Sequence, residues 1–316
     1  MPKRIVGIDV CRAVALIAMT AAHLTTTGAN TLGITGQLLY GFPAALFAFL
    51  AGVSMMLMAR TAGPVQFTVR GVLLIAVHCA LLPFAGGITV VLLPIGICMI
   101  ALGFTTRWDV RGKLALFAVL TAASGLIYQF GLEPWALFGP PYPLAMWGAL
   151  IVAGMVAEET VLPSCATTAA AAVAGAVTAT TVIVVRMNYV VPFAWMEANG
   201  HTGGLLDIAG CVGMALAVLG LCSPVTRSFV LQPLGSMSLT IYCLHILTAQ
   251  VLSFAVSVTL FAVFAVVWAA FFRRGPMEAL VRWCIDTVTA ASVRPTGKEK
   301  RRRVAAEQTD QPHSRS

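Results

Sequence analysis

The chain has 316 residues, 59% of them hydrophobic and only 10% charged, with a mean hydropathy of +0.90. Soluble domains carry about 25% charged residues, so a soluble fold is excluded and a polytopic all-α membrane bundle is indicated. The formal net charge of +8 does not mark a nucleic-acid binder, because much of the excess falls in short loops and in the KEKRRR run at 298–303. In those places it acts as a topology signal and as a contact for anionic lipid heads.

The Lys3–Arg4 head resembles the start of a secretory signal, but the segment after it is interrupted by charge and lacks a convincing cleavage site. Residues 5–26 therefore read as a retained first span. Further apolar runs of bilayer length predict spans at 36–59, 70–84, 87–105, 113–131, 143–160, 164–186, 203–222, 231–252 and 254–272, ten in all. The LLPFAGGITVVLLP stretch between the third and fourth also suits a broken or re-entrant pair.

With the N-terminus inside, the cytoplasmic turns hold Arg60, Arg70, Arg107, Arg111, Lys113, Arg227, Arg273 and Arg274. The outer loops hold little beyond Arg186, which is the asymmetry expected of a multi-pass protein in a bacterial plasma membrane with both termini cytoplasmic. Residues 1–274 then form the bundle, 275–293 an amphipathic helix on the cytoplasmic surface, and 294–316 a basic disordered tail.

Two outer loops exceed the needs of a turn: GLEPWALFGPPY at 131–142 and RMNYVVPFAWMEANGHTG at 186–203, which contains Trp195, Glu197, Asn199 and His201. Their aromatics also suit an interfacial belt. The eight cysteines form no CxxC pair and lie mostly in apolar segments, as packing residues do, so neither a disulfide framework nor a metal site is expected. Gly203, Gly204, Gly210 and Gly213, with Gly52 and Ser54, read as positions of close helix approach. Met55, Met56 and Met58 read as packing. There is no Walker loop, GxSxG elbow or HExxH, and no repeat that would signal an inverted-repeat transporter.

Charged groups at membrane depth are costly unless paired or solvated, so each one marks a candidate functional site. Asp9, Arg12, Leu16, Met19 and His23 fall within roughly 80° of arc on the first helix and form one stripe. Asp9 and Arg12 are spaced to pair near the cytoplasmic entrance, and His23 lies about 21 Å further along the axis. The same pattern also suits a purely structural ion pair with an interfacial histidine. His78, His201 and His245 fall in the outer half as well, with Asp207 about a turn and a half beyond His201 in GHTGGLLDIAG. Imidazole is the usual general base near neutral pH, and a carboxylate can orient it.

The stretch RIVGIDVCRAVALIAMTAAHL resembles the first-span pattern R-x-x-x-x-D-x-x-R-G-x-A-x-x-x-M-x-x-x-H of a superfamily of membrane acyltransferases. That superfamily includes heparan-α-glucosaminide N-acetyltransferase and its bacterial relatives. FPAALFAFLAGVSMML is similar to its second span and LQPLGSMSLTIYCLHI to its late Leu-Thr-Tyr-His span. RRGPMEALVRW resembles the Gly-Pro-Leu-Glu close of a related bacterial family of unassigned function. Ala13 departs from the pattern, which has glycine there. The animal enzyme's luminal domain has no counterpart among these residues, so its glycosaminoglycan specificity is not carried over.

The resemblance implies acyl transfer from cytoplasmic acyl-CoA, most simply acetyl-CoA, to a hydroxyl or amine of an envelope glycan or glycolipid on the outer side. It places His23 at the catalytic histidine and Asp9 and Arg12 at the paired polar positions of the first span. His201, Asp207, His245, His78 and Glu197 are candidates for acceptor binding or for orienting the base. The alternative is a proton-coupled transporter or flippase in which the same histidines relay protons and Asp9–Arg12 forms a gate. The oligomeric state is open, a homodimer included.

Overall fold

The computed structural model describes residues 5–25, 33–132 and 141–293. The basic tail with its lipid contact, the Lys3–Arg4 head and most of the 131–142 loop lie outside them. All regular structure among the described residues is helical.

Among the described residues, seven stretches are long and apolar enough to cross a membrane. They are α1 (Val6–Thr25), α2 (Gly33–Leu39) running into α3 (Phe42–Ala59), α4 (Pro64–Leu81) with a 3₁₀ turn to Phe84, α6 (Val110–Gln129), α8 (Cys165–Asn188), α9 (Leu205–Cys222) and α12 (Phe254–Phe271). The other expected spans are shorter. They are α5 (Leu92–Leu102) with a 3₁₀ turn to Arg107, α7 (Leu144–Thr160), and α10 (Leu231–Ser236) separated from α11 (Ser238–Thr248) at Met237. A last helix, α13 (Pro276–Val293), matches the expected amphipathic segment.

Three departures from the expected boundaries have local causes. The second span is interrupted at Tyr40–Gly41, where Gly41 adopts φ 90° and its Cα face lies against Gly200, leaving no room for a side chain. The third span starts six residues early because Pro64 is well suited to the first turn of a helix, where its missing N–H costs nothing. The fourth starts five residues late, since Gly86 and Gly87 take positive φ and the chain from 85 to 91 forms a connecting turn.

The core lies around α3 and α7, which approach until backbone meets backbone. A Cβ on Gly52 would strike the Ile151 carbonyl, and one on Gly154 the Phe49 carbonyl. Trp147, Phe49, Leu50, Met55 and Met155 are fully buried there.

Two distinct ends result. At one, the end of α7 is held between neighbouring helices by Arg60–Glu158 (2.5 Å) and by Lys113–Glu159 (2.7 Å), with the Lys113 side chain wholly buried. Asp109 caps α6 at this end by accepting the Gly112 N–H. The opposite end gathers the histidines.

Candidate functional site

At the charged end, the α1 stripe forms as its spacing requires. Arg12 Nη1 donates to Asp9 Oδ1 at 2.8 Å, and Asp9 is 2% exposed. Arg12 Nη2 donates to Ser54 Oγ at 2.7 Å. Ser54, expected only as a position of close helix approach, is therefore also a polar partner of the arginine.

Two adjoining cavities open beside this group. The outermost, of about 310 Å³, is lined by Thr61, Gln66, Arg70, Arg274 and Arg282, with Glu278 on its wall. The deeper one, of about 160 Å³, runs past Arg12, Ser54 and Arg70 to Leu74, Ile95, Val91 and Tyr242. They share Arg70, Ser236, Leu239 and Glu278.

Glu278 explains why the late span is broken. Interrupting a helix at Met237 strands the first N–H groups of α11. Glu278 Oε1 accepts from Leu239 N (2.8 Å) and Thr240 N (3.2 Å), and Oε2 accepts from Thr240 Oγ1 (2.6 Å). Thr240 Oγ1 in turn accepts the Met277 N–H. The start of α13 is thus fastened across the N-terminus of α11, with Val281 and Ile285 buried beneath it.

From this cap α11 runs to the histidine end. Tyr242 Oη accepts the Val91 N–H at 3.1 Å, closing the deep cavity. One helical turn further, about 4.5 Å along the axis, stands His245. Its Nε2 lies 2.9 Å from Nδ1 of His23, with ring planes 8° apart. The 5.2 Å between ring centroids equals this contact plus about one ring width, so the imidazoles lie edge to edge in a common plane and share one proton. His245 Nδ1 is buried without a partner, and His23 Nε2 has no hydrogen bond among the described residues. Where His23 Nδ1 carries the shared hydrogen, its Nε2 is a bare lone pair, which is the form a general base requires.

His201 belongs to the same end. Its Nδ1 lies 3.0 Å from the Pro141 carbonyl, which can only accept, so Nδ1 carries the hydrogen. The edges of Tyr40 and Tyr142 flank the ring at centroid distances of 5.2 and 5.5 Å. Burial pushes the His201 pKa down to about 4 against the Pro141 hydrogen bond, with Arg186 and His23 adding to the fall.

The remaining candidates hold this loop in place. Asp207, wholly buried, accepts from Thr202 N (3.1 Å) and Gly203 N (3.2 Å) and from the Cys211 thiol, and it faces Arg186 at 3.8 Å. None of these contacts reaches a histidine ring, so Asp207 secures the loop and the orienting partner of His23 is His245. Glu197 caps its own turn through the Ala198 and Asn199 N–H groups. His78, at the end of α4, faces the Val90 backbone and makes no ring contact with the other histidines.

Sequence reasoning missed four contributors: Tyr242, Glu278, Arg70 and Arg186. Arg186 is the buried hub of the 186–203 loop. It donates from Nε to the Ala198 carbonyl (2.9 Å) and from Nη1 to the Tyr40 carbonyl (3.3 Å) that the α2–α3 break leaves unpaired, and it lies over the Phe42 ring. Its standing as the lone basic residue of the outer loops was the available signal.

The fold and site thus define a bundle of membrane-length helices with polar groups gathered at both ends and two adjoining cavities that reach from the charged end to Tyr242. No family model matches the chain, and no curated protein matches it.

Proposed function

We propose that the protein is an acyltransferase of the bacterial cytoplasmic membrane. It moves an acetyl group from cytoplasmic acetyl-CoA to a hydroxyl or amine of an envelope glycan or glycolipid on the outer side. In this reading ten segments cross the membrane, with α5, α7 and α10–α11 completing the seven long ones, and both termini are cytoplasmic. A reporter fused after Ser316 is then expected to be active only in a cytoplasmic form.

One observation carries the reading. The two adjoining cavities lead from a mouth with three arginines, suited to phosphates, past Arg12 to Tyr242, one turn from the His23–His245 pair. In a direct transfer, the acceptor O–H or N–H gives its proton to His23 Nε2 as its heteroatom bonds the acyl carbon. The C–S bond then breaks, and the departing CoA thiolate takes that proton. His245 holds His23 in the base tautomer and shares the charge of the imidazolium.

The test is protein in lipid nanodiscs with labelled acetyl-CoA and an envelope extract. Transfer is expected, falling by about 10²–10⁴ in His23→Ala, the usual worth of a general base. Transfer undiminished in that variant removes His23 from the chemistry. If no CoA thioester binds, the transporter reading of the same residues takes its place.

A further inference from the structure

His201 has a conformation that packing alone does not require. It is the one non-glycine residue with positive φ among the described residues, at 69°, a region that crowds Cβ against the backbone. Such strain persists only when the surroundings enforce it, and it collects at ligand sites. Here the surroundings are explicit. Asp207 gathers the N–H groups of the next two residues, and Ser124 Oγ donates to the Gly203 carbonyl at 2.7 Å. Arg186 ties the preceding Ala198 to Tyr40, and Tyr40 itself packs on Gly200.

The result is a ring fixed at every position but one. Pro141 holds Nδ1, and Tyr40 and Tyr142 hold the two flanks. Nε2 carries no hydrogen bond among the described residues and is not among the atoms sealed from solvent. Tyr142 is itself fixed, donating to the Thr89 carbonyl at 3.0 Å and packing on Trp147.

We propose that His201 binds the acceptor: its Nε2 lone pair takes a hydrogen bond from a hydroxyl of the outer substrate, between the Tyr40 and Tyr142 rings. The substrate class is accordingly a hydroxylated acceptor whose donor enters between two aromatic edges, as a sugar hydroxyl can. A ring that stays neutral well below pH 6 keeps this lone pair available throughout the working range. The inference rests on the acyltransferase reading.

The experiment uses the full chain in nanodiscs, labelled acetyl-CoA and an envelope extract, with His201→Asn and His201→Gly. Asparagine and glycine both tolerate the left-handed backbone, and asparagine keeps a donor for Pro141. The expected result is a rise of about tenfold or more in the extract concentration giving half-maximal transfer, with acetyl-CoA affinity unchanged. An unchanged half-maximal concentration in both variants overturns the proposal. So does equal loss of acetyl-CoA binding, which marks a structural role. No transfer by the wild type refutes the underlying acyltransferase reading instead, and with it this assignment.

Discussion

Replacing Glu278 by alanine removes the fastening between α13 and the broken late helix. Leu239 N, Thr240 N and Thr240 Oγ1 all lose their acceptor, and the N-terminus of α11 loses its counter-charge. Loss of a helix cap costs about 1 kcal/mol. Loss of a partly buried carboxylate at a helix N-terminus adds up to about 1 kcal/mol more. Together, about 2 kcal/mol corresponds to roughly a 30-fold shift in the local opening equilibrium of α13. Hydrogen exchange followed by mass spectrometry on nanodisc protein reads this directly. The α13 amides should exchange faster by that factor, while those of α8 and α9 stay as in the wild type. Glu278→Gln, which retains an acceptor oxygen but not the charge, should fall between. If Glu278→Ala leaves α13 exchange within wild-type scatter, then burial of Val281 and Ile285 docks the helix and the cap contributes nothing.

The ion pair on α1 makes a second prediction. Arg12→Ala removes the charged donor that faces the buried Asp9 carboxylate and should lower stability by about 1.5–3 kcal/mol. Asp9→Asn added to it should recover part of the loss in thermal melts, and no recovery would assign the loss to the Arg12–Ser54 bond instead. For His201, the folded pKa of about 4 lies below the ordinary 6.5, so the unfolded chain binds the extra proton between those values. Stability should therefore fall as pH drops from about 6.5 to about 4, and the slope over that window should be shallower in His201→Asn. Parallel slopes would remove His201 from the acid sensitivity.

Much of the bundle was legible because membrane helices announce themselves by length and hydropathy. The α1 stripe was equally legible, since a single helix fixes the angular positions of Asp9, Arg12 and His23 without reference to anything else. Contacts between distant segments were not. Nothing local to Glu278 says that its partner lies 38 residues earlier at Thr240, and nothing near His245 names His23, 222 residues away. Asp207 shows the opposite error: closeness in sequence linked it to the histidine chemistry, whereas its oxygens go to the backbone and to Arg186. The Arg12–Ser54 bond was hidden for a related reason, because small residues in membrane helices pack closely whether or not they also bond.

The shared proton of the histidine pair makes the most demanding test. If His23 is the base, its Nδ1–H donates to His245 Nε2, and that bond becomes charge-assisted as Nε2 takes the acceptor's proton. Hydrogen bonds to charged groups contribute about 1.5–3 kcal/mol, so His245→Ala should lower kcat roughly 10- to 100-fold with little change in acetyl-CoA affinity. His245→Gln separates two roles that alanine merges. The glutamine carbonyl can accept from Nδ1 and keep the base tautomer, but unlike an imidazole it cannot take up that proton. Substantial activity in His245→Gln means that His245 orients and stabilises. Activity as low as in His245→Ala means that the His245 ring must itself take the His23 Nδ1 proton and return it as the CoA thiolate is protonated. Wild-type kcat in the alanine variant would refute the coupling, leaving the coplanar pair as packing at the histidine end.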